Sequence, residues 1–180
     1  MSYDGIFIKM LHDNKIADSS KLIASDYLQN NLDFLKRMLS CQTVAISSDN
    51  DMPGINDGSI NAASFIFQIE FTPKFEDLIS VVTRKIIPNG SIFVAAVSYA
   101  WYRRLIWQMI FWYKRFILRK YVNIYENNPF YKIGPFQNIK LSILNKIFSA
   151  NNCKLENIKT IHPTPGVILN LVIFRKTKLD

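Results

Sequence analysis

The chain has 180 residues, 49% of them hydrophobic and 20% charged, with a formal net charge of +8. That length and balance describe one globular domain with a sizeable core, and they exclude a disordered chain. No stretch reaches the roughly 20 apolar residues of a spanning helix, and MSYDGIFIKMLHDNK lacks the basic and apolar regions of a signal peptide.

In chain order, Lys21–Asp26 (KLIASD) reads as a short buried strand ending in an acid. A helix follows over Tyr27–Ser40, with Leu28, Leu32, Leu35, Met38 and Leu39 sharing one face. Thr43–Ser47 (TVAIS) is a second strand. The loop Ser48–Ser59 leads to a third over Ile60–Phe71, centred on AASFIF. Pro73 opens the next helix, whose apolar Leu78, Ile79, Val82 and Ile86 run into Pro88-Asn89-Gly90. That triplet predicts a tight turn at which Asn89 and Gly90 take positive φ. The apolar run Ser91–Val97 after it is a strand of a parallel sheet covered on both faces. Asn138–Ala150 is an amphipathic helix through Ile139, Leu141, Ile143, Leu144, Ile147 and Phe148, capped at Asn151-Asn152. Lys154–Ile161 and Val167–Phe174 close the chain as an antiparallel hairpin. Alternating strands and helices ending in a hairpin give a doubly wound α/β sheet with an antiparallel edge. Ligands of such folds bind beyond the carboxyl ends of the strands.

The charge is lopsided. Residues 1–98 hold eight Lys/Arg against eleven Asp/Glu, and residues 99–180 hold fourteen against three. The C-terminal half therefore faces something anionic or presents a lysine-rich solvated surface. Its centre, WYRRLIWQMIFWYKRFILRKY (Trp101–Tyr121), puts Arg103, Arg104, Gln108, Lys114, Arg115 and Arg119 on one side of a helical wheel. Leu105, Ile106, Met109, Ile110, Trp112, Tyr113, Phe116 and Ile117 take the other, while Trp107, Phe111 and Leu118 intrude on the basic side. Three readings follow: a lid or core helix, a helix lying in a lipid interface, or a nucleic-acid stripe of Arg and stacking aromatics. The continuous apolar face argues against the third. Cys41 and Cys153 have no metal or redox spacing and read as buried thiols of a reducing compartment.

Several segments in order resemble the class I S-adenosylmethionine-dependent methyltransferases, of the type 11-like kind. KLIASDYLQNNLDFLKR is similar to the family's second strand, its acidic end and the next helix. MPGINDGSINAASFIF resembles "LP-F-x-D-x-S-F-D-x-V" through Met52-Pro53 and Asp57-Gly58-Ser59-Ile60-Asn61. IIPNGSIFV resembles "L-K-P-G-G-x-L", and SILNKIFSANNCKLENI the late helix and penultimate strand. Asp4-Gly5 before IFIKML is similar to the tail of a glycine-rich loop, whose first glycines, and the strand before it, are not among residues 1–180.

The resemblance implies a Rossmann-like sheet lacking its first strand and most of its glycine loop, with two strand edges left open. It also implies a single domain over 1–180 with a basic aromatic insertion at about 99–136 and a truncated N-terminus. The cofactor implied is S-adenosyl-L-methionine, met by Asp4, Gly5, Asp26, Tyr27, Ser48, Asp49 and Gln68. Asp26 stands where the family's acid takes the ribose diol; read from the residues alone, it is equally the N-cap of its helix. Gln68 and Glu70 stand near the methyl acceptor, a small hydrophobic or lipid-like molecule. Trp101, Tyr102, Arg103, Arg104, Trp107, Trp112, Lys114 and Arg115 are the expected substrate or membrane contacts. No catalytic base and no metal ligands are identified; His12 and His162 stand alone. The location expected is cytoplasmic, at the periphery of a membrane. The rival reading is a non-catalytic interaction protein that docks through Trp101–Tyr121.

Overall fold

A computed structural model describes residues 9–16, 18, 21–27, 29–39, 41–47, 51–66, 69–70, 72, 74–116 and 139–177. After a short helical stretch at 9–13 come β1 (Ile23–Asp26), α1 (Gln29–Leu39), β2 (Gln42–Ala45), β3 (Ile60–Ile66), α2 (Phe75–Lys85) and β4 (Ile86–Tyr99). Then come α3 (Trp101–Phe116), α4 (Leu141–Ala150), β5 (Cys153–Thr164) and β6 (Val167–Lys176). The chain is a mixed α/β fold, as the alternating pattern requires.

The strands form two sheets. β1 and β2 pair in parallel, and a four-stranded sheet runs β3-β4-β6-β5. β3 and β4 are parallel, while β6 is antiparallel to both its neighbours. The final strand of the hairpin thus lies inside the sheet and β5 forms the edge. Among the described residues, β1 and β3 do not pair with each other. That break falls where the resemblance places the family's first strand.

One core joins the two sheets. Val44 and Ile46 from β2 and its exit pack with Phe65 of β3, Leu78, Ile79 and Val82 of α2, and Ile92 and Val94 of β4. Phe148 of α4 stacks on Phe174 of β6 at 4.0 Å between ring centroids. A second cluster, Ala24, Leu35, Leu39 and Cys41, seats α1 on the other side of β1, whose neighbouring Ile23 turns to the main core. α1 thus covers one side of β1, while α2 and α4 pack on the core face of the four-stranded sheet. On the opposite face Phe93 of β4 is 43% exposed, so β4 is not buried on both faces as its apolar run suggested.

Four local expectations change. Met38 is exposed, as is Ile143, so the buried faces of α1 and α4 are narrower than the apolar pattern. β3 ends at Ile66, and Ile69–Glu70 is a turn. Ile86 begins β4 directly after α2. Pro88-Asn89-Gly90 is not a separate turn but an irregular start to that strand, where the register with β3 shifts between Ile60 and Ala62. Asn89 takes φ 65°, but Gly90 is not at positive φ. Gly90 is needed for space, since a Cβ there would sit 2.5 Å from Ile86 Cγ2 and 2.8 Å from the Asn61 carbonyl oxygen. Arg175 donates to the Asn89 carbonyl at 3.3 Å, and the Lys176 ammonium donates to the Thr83 and Ile86 carbonyls at 2.8 and 2.6 Å. β6 thereby fastens the α2–β4 junction from across the sheet.

Candidate functional site at the carboxyl edge of the sheet

Among the described residues, three of the five buried polar or charged ones, Asp26, Glu70 and Thr72, gather where β1 and β3 end. The other two are satisfied elsewhere: Thr83 donates to the Ser80 carbonyl within α2, and Asn170 of β6 accepts from Thr160 of β5. Buried polar groups are retained only where something pairs with them, so this edge is the chemically loaded part of the molecule.

Asp26 closes β1. Its carbonyl accepts the Ile46 N–H at 2.9 Å, which fixes the strand end, and its Oδ2 accepts the Asn31 side-chain amide at 3.0 Å. The carboxylate is thus oriented by the first turns of α1, which begins at Gln29, so Asp26 stands ahead of the helix and not directly at its N-cap. Tyr27 shares a hydrogen bond with the Thr72 side chain, and burial pushes its phenol up to about 12. That bond ties the end of β1 to the segment leaving β3, so the two sheets present their carboxyl ends on the same side.

Glu70 is 2% exposed. Its Oε1 accepts the Val97 N–H, a donor lying beyond Ala95, the last β4 residue paired with β3. The side chain takes the place of the departed strand. Among the described residues, Oε2 has no hydrogen-bond partner. Burial, opposed by the backbone N–H groups of Val97 and of Glu70 itself, raises the carboxyl to about 7.

Beyond Val97, β4 enters α3. The Ala100 N–H donates to the Gly166 carbonyl at 2.9 Å. Tyr102 packs so closely on Gly166 (φ 76°) that a Cβ would lie 2.1 Å from the phenol oxygen. The hairpin loop thus holds the start of the helix beside the carboxyl edge. From there α3 turns its apolar side outward. Trp101 (76% exposed), Tyr102, Leu105, Ile106, Met109 (64%), Trp112, Tyr113 and Phe116 are all exposed, with Trp112 stacked on Phe116. Among the described residues, this face of the helix contributes nothing to the core. Arg103 is half-buried.

Of the expected cofactor residues, Asp26 and Tyr27 are brought together. Asp4, Gly5, Ser48, Asp49 and Gln68 lie outside the described residues. Arg104, Trp107, Lys114 and Arg115 have their backbone in α3, and their side chains lie outside those described. Sequence reasoning missed Asn31 and Thr72. Asn31, five residues after Asp26 at the start of a helix, carried a weak signal; Thr72 carried none. Among the described residues no three His, Cys, Asp or Glu converge as metal ligands, and no helix is long and apolar enough to cross a membrane.

No protein-family model matches the sequence, and no curated protein matches it. Solved structures do match. A SAM-dependent methyltransferase from Methanosarcina mazei superposes with a TM-score of 0.60 at 11% identity, covering 87% of this chain and 82% of its own. A Sulfolobus solfataricus protein assigned as a type 11 methyltransferase gives 0.54 at 19%, covering 96% and 80%. The Burkholderia thailandensis 1,6-didemethyltoxoflavin-N1-methyltransferase, bound to 1,6-didemethyltoxoflavin and S-adenosylhomocysteine, gives 0.56 at 9%, covering 95% and 76%. At these identities the likeness establishes the fold: a Rossmann-like methyltransferase sheet.

Proposed function

We propose that this chain, which has the fold of the SAM-dependent methyltransferases, binds S-adenosyl-L-methionine at the carboxyl edge of its sheet and methylates a small hydrophobic or lipid-like acceptor. The observation that carries the reading is the gathering of Asp26, Tyr27, Thr72 and Glu70 at that edge, on this fold. The residues suit the cofactor. Asp26 is a buried carboxylate at a strand end, oriented by Asn31, as a ribose diol requires of its acceptor. When bound, the cofactor supplies an electrophilic methyl group on a sulfonium. Asp26 holds the sugar, the Tyr27–Thr72 bond braces that end of the site, and α3 provides a hydrophobic approach for the acceptor. Holding the two reactants in line is itself a large part of the rate enhancement in such transfers. Asp4, Gly5, Ser48, Asp49 and Gln68 complete the proposed cofactor set. The reading places the protein in the cytoplasm with α3 in peripheral contact with a membrane.

A second reading is favoured by the break between β1 and β3 and by the outward apolar side of α3: a non-catalytic protein that keeps part of the fold and docks through that helix.

Calorimetric titration with S-adenosylhomocysteine separates the two. The enzyme reading expects micromolar binding. Losing a charged hydrogen-bond acceptor in Asp26→Ala should weaken it by about tenfold or more. A chain that is folded by circular dichroism and gives no binding heat overturns the enzyme reading.

A further inference from the structure

The eight outward residues of α3 are not scattered around the helix. At about 100° per residue, their Cα positions fill an unbroken arc of about 140°. Each described side chain exposed on the helix is Trp, Tyr, Phe, Leu, Ile or Met, and none is charged. By position, Arg103 and Lys114 flank one border of the arc, and Arg104 and Arg115 flank the other. No Asp or Glu occurs between Asp77 and Glu126. Soluble surfaces rarely leave so continuous an apolar stripe uncovered.

The charges decide what covers it. Packing two copies of this face together sets Arg and Lys rows against Arg and Lys rows, with no acid in the segment to neutralise them. A nucleic acid would match the charges but has no use for eight apolar groups at the centre. An anionic bilayer matches both: hydrocarbon for the arc and lipid phosphates or carboxylates for the rows on either side. Trp and Tyr within the arc belong at the same depth, with apolar bodies and polar tips.

We infer that α3 lies flat in the interfacial layer of an anionic lipid bilayer, with its apolar arc inserted and its two basic rows at headgroup level. The inference deepens the membrane contact of the reading above and rests on that contact, not on cofactor binding. Because Ala100 and Tyr102 tie the start of α3 to Gly166 at the carboxyl edge, the bound bilayer lies beside the site of Asp26 and Glu70. An acceptor could then reach the site from the lipid without crossing water.

The test is co-sedimentation of the full chain with vesicles of phosphatidylcholine alone or mixed with phosphatidylserine, alongside tryptophan emission. Binding to the mixed vesicles, a blue shift, and weakening with added salt are expected. Leu105→Ser with Met109→Ser alters two exposed groups that add nothing to the core, and should reduce partitioning by about tenfold or more. Three results overturn the inference: a folded chain that binds neither vesicle, binding that this double variant leaves unchanged, or a solution dimer that the variant dissociates without any vesicle binding. S-adenosylhomocysteine titration of the same samples keeps the outcomes apart. Vesicle binding without cofactor binding defeats the enzyme reading alone, and the converse defeats this inference alone.

Discussion

Replacing Glu70 with Gln should remove a loss of stability that the wild type suffers as pH rises to neutrality. The carboxyl is almost fully buried and stands at about 7 in the folded chain, against 4.5 for the free side chain. In the unfolded chain the proton leaves first as pH rises, so the folded state holds the extra proton between those values. Stability therefore falls across that window. At about 1.4 kcal/mol for each pH step, the ionised carboxylate destabilises the fold by about 3 kcal/mol once pH exceeds about 7, and by nothing below about 4.5. Gln retains an oxygen for the Val97 N–H. Its amide sets two N–H donors where protonated Glu70 has one O–H, a cost of about 1–3 kcal/mol that does not change with pH and so leaves the pH dependence intact. Urea denaturation at about pH 5 and about pH 8 should show the wild type losing about 2.5 kcal/mol more than Glu70→Gln across the interval. Across the interval this corresponds to roughly 5–10 °C in melting temperature for a chain of this size. Parallel pH profiles for the two proteins would refute the reasoning, because they would mean that Glu70 titrates as an ordinary solvated acid.

Gly90→Ala should cost about 1–3 kcal/mol, since the new methyl meets Ile86 and the backbone oxygens of Asn61 and Ile87, which cannot swing away as a flexible side chain can. An unchanged thermal midpoint would show that the start of β4 is more yielding than its geometry. Both thiols are raised by burial, Cys153 to about 11, so neither forms much thiolate at about pH 8. Iodoacetamide should label them slowly in the native protein and rapidly after unfolding, and rapid native labelling of Cys41 would place α1 away from β1.

Much of the fold was legible because its signals are periodic. Leu78, Ile79 and Val82 gave α2, and the proline- and glycine-bearing break at Pro163–Gly166 gave the hairpin. The triplet Pro88-Asn89-Gly90 misled because those residues usually mark turns. Here only Asn89 adopts the left-handed conformation, and Gly90 is required by Ile86 and Asn61, one of them from another strand. In the site, the acidic end of β1 could be read, since a lone Asp after apolar residues stands out. The burial of Glu70 could not, because it depends on β3 parting from β4 just where Val97 needs an acceptor 27 residues away. Periodicity also showed that α3 has two sides without showing which one faces out. The sequence also held no sign that the start of α3 would be tied through Ala100 and Tyr102 to Gly166, some 65 residues further along the chain.

The central place of β6 bears on how the protein comes to be folded during synthesis. β4 is complete at Tyr99, but its second neighbour begins only at Val167. At translation speeds of about 5–20 residues per second, one edge of β4 waits roughly 3–14 s for its partner. Ile92 and Val94 cannot bury against Phe174 and Val172 before then. During that delay the nascent chain exposes an apolar strand edge, a condition that favours misassociation and chaperone capture. Substitutions in β6 should accordingly reduce the yield of folded protein before they alter anything the folded protein does.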